Sequence, residues 1–157
     1  MRDWQVLVTC AVLAGSGLLT AAEAGEVRAG ALVIENPWAR ATPPGAMVGA
    51  AYLVIRNTGT SGDRLVGAST PVAATVEIHE TRMTDGEMQM RPVEALEIPP
   101  GGSVRLQPGG LHLMLMDLGA PLVTGARVPL TLQFAGAGEV RVELAVAPAG
   151  SPGPAPR

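Results

Sequence analysis

No lysine occurs in the chain; its 11 basic residues are all arginine, scattered singly along 157 residues. With a net charge of −3 and no basic cluster, the sequence excludes an electrostatic footprint for nucleic acid. Aromatic residues are few as well: Trp4, Trp38, Tyr52 and Phe134. Cys10 is the single cysteine. One thiol cannot build a disulfide scaffold or a zinc-thiolate module. A serine-hydrolase G-x-S-x-G elbow is also missing, and two histidines leave little room for a general base beside other duties. No enzymatic activity is expected.

Apolar residues make up 47% of the chain, enough for one packed domain, whereas 20 glycines and 14 prolines favour frequent turns over long helices. The start reads as a secretory signal: Arg2, a mostly apolar stretch from Trp4 to Leu19, then small residues with A-x-A sites before Glu23 or before Gly25. The apolar stretch falls short of the roughly 20 residues needed to span a bilayer. Residues 1–24 are therefore expected to be removed, leaving no membrane span. Leu7-Val8-Thr9-Cys10 faintly resembles a lipoprotein box, but threonine before the cysteine is unfavourable. Cys10 is expected to leave with the signal.

Residues 25–147 show short β-patterned segments separated by turn residues. Leu32–Ile34 ends before Asn36-Pro37; Ala50–Arg56, Asp63–Ser69, Thr75–Thr81, Met88–Pro92 and Glu94–Ile98 follow. Ser103–Leu106, Leu111–Leu118, Arg127–Phe134 and Glu139–Ala147 complete the series. Strands of this length with Gly/Pro punctuation predict an all-β sandwich or barrel. No helical period extends over three turns. Residues 148–157, rich in Pro, Ala and Gly, are expected to form a flexible tail.

Both histidines and five of the seven methionines (Met83, Met88, Met90, Met114 and Met116) fall between positions 79 and 116. Strand alternation places Val76 and Ile78 on a core face, with Glu77, His79 and Thr81 opposite. It likewise places His112, Met114 and Met116 on one face, with Leu111, Leu113, Leu115 and Asp117 on the other. A His-x-Met pair then projects two donors about 7 Å apart along one strand. Thioether sulfur is soft and neutral, imidazole borderline; such a set favours Cu(I) over zinc, calcium or magnesium. A blue-copper carrier would need a thiolate, which the mature chain lacks. Protonation removes the imidazole lone pair, so affinity should weaken in acid. Glu77, Glu80, Asp85 and Glu87 nearby could serve as oxygen ligands, but a solvated face is the preferred reading. The competing reading is an extracytoplasmic β-sandwich that grips a protein partner with a Met-rich patch and has no metal role.

The spacing His79-x10-Met90-x21-His112-x-Met114 resembles the H-x10-M-x21-H-x-M pattern of PCu(A)C-type periplasmic copper chaperones. The stretches IENPWARATPPGAMVGAAYLVIRN (Ile34 to Asn57), DRLVGAS (Asp63 to Ser69) and Val76 to Leu118 are similar to that family too. The resemblance implies a cupredoxin-like Greek-key β-sandwich that binds one Cu(I) per chain through His79, Met90, His112 and Met114. It implies a periplasmic metallochaperone that delivers copper to the dinuclear centre on the copper-bearing subunit of cytochrome c oxidase, beside thioredoxin-fold copper chaperones; a monomer is expected. Some relatives carry a His- and Met-rich extension for a further copper(II); the tail here has neither residue, so no tail site is expected. Met83, Met88 and Met116 lie outside the pattern and read as packing or as aids to transfer. Trp38 and Arg40 look like family landmarks with a structural role.

Overall fold

The computed structural model describes residues 25–153; the expected signal peptide and residues 154–157 lie outside them. The described residues form eleven strands and no helix. These are β1 (Glu26–Ala29), β2 (Leu32–Arg40), β3 (Val48–Asn57), β4 (Asp63–Ser69), β5 (Ala73–Thr84) and β6 (Glu87–Pro92). β7 (Leu96–Ile98), β8 (Ser103–Arg105), β9 (Leu111–Leu118), β10 (Arg127–Phe134) and β11 (Gly138–Ala147) complete the order.

The pairing β2-β11-β10-β4-β5-β9-β3 returns to β2 and so closes into a barrel-like sandwich. Closure leaves the ring without an exposed edge. Four short strands sit outside the ring: β1 on β2, β8 on β3, β7 on β4 and β6 on β5. The pairings are antiparallel except β11 with β2. Chain neighbours are often not sheet neighbours, as the expected cupredoxin-like Greek-key sandwich requires.

Alternation puts one side of each long strand inside the ring. Ile34, Leu53, Ile55, Leu65, Leu113, Leu115, Leu130, Leu132 and Leu144 are fully buried there. Outside it, Trp38, Tyr52 and Ala147 form a second, smaller cluster, with Ala50 against them. The Trp38 and Tyr52 rings lie 4.6 Å apart, and the Arg40 guanidinium sits 5.7 Å from the Tyr52 ring centre. Arg40 also donates to the Ser151 carbonyl at 3.5 Å. This accounts for both landmarks as packing residues.

Two local readings are corrected. Asn36-Pro37 does not end β2. The register slips by one residue between Glu35 and Trp38, a β-bulge in which Asn36 takes a left-handed φ of 48° and Pro37 lies where no ladder N–H is needed. Asp117 does not share the inner face either. Its φ of 55° turns it outward and sends Leu118 into the core instead.

Candidate metal centre on the outer face of the sheet

Ile78 pairs with Leu113 and Val76 with Leu115, so the β5–β9 register is set by residues facing the core. A strand shows successive side chains on opposite faces. The intervening pairs, His79 with His112, Glu77 with Met114 and Thr75 with Met116, therefore share the outer face. The two imidazoles stand opposite one another, with ring centres 6.0 Å apart and planes inclined at 56°. Met114 lies diagonally next to His79. On its far side it pairs with Ala50 of β3, which joins the face to the Trp38–Tyr52 cluster.

Met90 reaches the same face from β6. Thr84 pairs with Glu87 across a two-residue turn, Asp85-Gly86, with φ of 51° and 81°. Both central residues at positive φ give the turn a twist that matches the flanking strands. The resulting register sets Met90 opposite Thr81 and Met88 opposite Met83. Met90 is thus diagonal to His79 on the side away from Met114. The structure brings His79, His112 and Met114 onto contiguous positions of β5 and β9, with Met90 one position along on β6.

Hydrogen bonds fix the imidazoles in complementary states. His112, only 5% exposed, donates from Nδ1 to the Gly110 carbonyl at 3.0 Å, which leaves Nε2 with the lone pair. His79 donates from Nε2 to Glu77 Oε2 at 2.7 Å. Its Nδ1 is buried and has no partner. A buried nitrogen acceptor without a donor is costly in a finished protein interior. A soft cation would supply the missing partner. The donor set fits Cu(I): two imidazole nitrogens flanked by thioethers. Among the described residues no three His, Cys, Asp or Glu converge as a metal-binding group.

Glu77 is the residue that sequence reasoning missed. It belongs to a partly exposed face, as expected, but its carboxylate holds His79. The signal was available, because residues i and i+2 of a strand share a face. Glu80 is half-buried and pairs with Arg82 at 2.8 Å.

The chain matches the family model described as "Putative lipoprotein LpqE-like" over residues 32–146. A protein of Leifsonia xyli subsp. xyli (strain CTCB07) named "Putative lipoprotein Lxx21020" is 35% identical over 102 residues. That match takes in 64% of this chain and 60% of the relative, so the chain spans less than two thirds of the relative's length. Among solved structures, the copper-bound PCuAC domain from PmoF2 superposes with a TM-score of 0.68 at 30% identity, covering 78% of this chain and 97% of that one. Its apo form gives 0.71 at 29% identity, covering 82% and 99%. The Cu(I) form of DR1885 from Deinococcus radiodurans gives 0.56 at 31% identity, covering 80% and 83%.

Proposed function

The chain belongs to the LpqE-like family and is built as a PCuAC-type domain, and on that premise we propose that it is a metallochaperone that binds one Cu(I) through His79, Met90, His112 and Met114. The observation that carries this reading is the facing pair of imidazoles. Each has one nitrogen engaged by an acceptor and one left for a metal, with His79 Nδ1 buried and unpartnered. Copper-bound forms of two similar domains support the choice of ion.

The hydrogen bonds engage one nitrogen of each imidazole, and the other is the one offered to the ion. Thioethers bind without a charge to neutralise, and an exposed Met90 leaves one side of the ion open to exchange. This suits a carrier that passes copper on by ligand exchange and does no chemistry of its own. The lipoprotein names of the family and of the Leifsonia relative support an extracytoplasmic location. We assign it to the periplasm, reached through residues 1–24 as a cleaved signal. The recipient we propose is the dinuclear copper centre of cytochrome c oxidase, a reading that rests on the family resemblance of the sequence.

Anaerobic titration of the mature protein against a chromogenic Cu(I) chelator tests the site, with X-ray absorption to count neighbours. Two sulfur and two nitrogen neighbours at one equivalent are expected. His112→Ala combined with Met114→Ala should weaken binding by orders of magnitude while the amide NMR spectrum stays dispersed. Unchanged affinity, or a shell of oxygen donors alone, would remove the assignment. Copper transfer to the isolated copper-bearing oxidase subunit tests the recipient separately.

A further inference from the structure

Beyond Glu80 and Arg91, β5 and β6 run as a two-stranded hairpin bound to the ring through β5 alone. Its two faces differ. One shows the charges expected of a solvated ribbon, including Glu80, Arg82, Glu87 and Arg91. The other, continuous with His79, shows Thr81, Met83, Met88 and Met90. The methionines are exposed to 69%, 66% and 53%, among the most exposed large apolar residues described. All six residues of β6 are exposed, so no packing explains them.

Met83 and Met88 are direct cross-strand partners, and Met90 lies on the diagonal from Met83. Such positions put Cβ atoms about 5 Å and about 7–8 Å apart. Three rotatable bonds let each thioether reach inward across such gaps. No carboxylate shares this stretch of the face, so the hairpin offers a purely soft donor set that hard cations do not select.

We propose that Met83, Met88 and Met90 form a second, transient Cu(I) site: a thioether landing place where the ion arrives and from which it departs. Met90 is the common ligand, so this site and the one at His79 and His112 are filled in turn, not together. On loading, the Cu–S bonds to Met83 and Met88 break as Cu–N bonds form to His79 Nδ1 and His112 Nε2 and a Cu–S bond forms to Met114. Copper stays Cu(I) throughout. The inference rests on the copper reading above and adds a path to it.

The test uses the mature protein and Cu(I) presented as its bicinchoninate complex, followed by anaerobic stopped flow. Met83→Leu with Met88→Leu keeps the apolar surface and removes two sulfurs. Uptake and release should both slow by about tenfold, with the equilibrium affinity unchanged, as when a barrier alone is raised. Equal rates in variant and parent would overturn the proposal. Loss of affinity in step with rate would overturn it too, by making Met83 and Met88 ligands of the main site. If the unsubstituted protein takes no Cu(I), the copper reading itself fails, a different result from either. Backbone amide spectra of the variant confirm that the hairpin is intact.

Discussion

His79 and His112 face each other across the β5–β9 ladder, their ring centres 6.0 Å apart, in the same register that buries Ile78 against Leu113. The inner pair and the outer pair are consecutive rungs. A slip of one residue would bring the leucines out and the histidines in, so burial of the core enforces the imidazole pairing. Apolar packing inside the barrel thereby sets the geometry of a polar site outside it.

Leu113 is fully buried on the strand that bears His112 and Met114. Leu113→Ala should cost about 2–5 kcal/mol of stability, the range for a large-to-small change in a closed core. Urea unfolding with tryptophan fluorescence measures this. The variant that remains folded should keep Cu(I) affinity within about tenfold, because the ladder register has many other core contacts.

Glu77 fixes the tautomer of His79. Glu77→Leu should lower Cu(I) affinity by about 10–100-fold, as loss of an outer partner of a metal-binding histidine ordinarily does. Glu77→Gln still offers an oxygen to Nε2–H and should retain most of the affinity. Long-range ¹H–¹⁵N spectra of the apo protein should show His79 protonated at Nε2 in the parent and a tautomer mixture in the leucine variant. A single Nδ1-protonated form in the parent would refute the role.

Asp63, at the start of β4, accepts backbone hydrogen bonds from Arg64 at 2.7 Å, Gly136 at 2.8 Å and Ala137 at 2.9 Å, so it pins the β10–β11 turn. Partial burial acts to raise its pKa, but the Gly136, Arg64 and Ala137 N–H groups outweigh it and the net shift is downward. A depressed carboxylate stabilises the fold above the ordinary aspartate range and loses that contribution as pH falls through its folded value. Asp63→Asn should cost about 1 kcal/mol at neutral pH, a figure discounted for solvent exposure. The gap from the parent should close in acid, as chemical denaturation across pH would show.

Gly86 has a φ of 81° with open space where a side chain would stand, so a substitution there meets backbone strain alone. Gly86→Val should destabilise the hairpin by about 1–2 kcal/mol. Hydrogen exchange at β6 amides should quicken while β9 amides keep their protection.

The outer-face placement of His112 and Met114 was legible because β9 alternates strictly from Leu111 to Met116, and Asp63–Ser69 was read to its residue bounds. What escaped depends on partners distant in sequence. β1 has four residues and is held by pairing with β2, which no local pattern announces. Asn36-Pro37 has the chemistry of a turn, and only β3 alongside shows that it is a bulge. Only the family resemblance singled out Met90 over Met83 and Met88, and the register places all three on one face. The hydrogen bond from His79 to Glu77 is local instead: alternation puts both on one face, and only the side-chain geometry shows that they meet.

β6 carries Met90 and is bonded to the ring on one side only. A free rim of backbone N–H and C=O groups is ordinarily where another protein's sheet adds a strand. Here Pro92 withholds one donor, and Glu87 and Arg91 charge the flank. If the chain carries copper as proposed, a donor or recipient would meet it by side-chain contact over the broad surface and not by backbone pairing along the rim. Such a meeting would need no strand to be unzipped when the two proteins part.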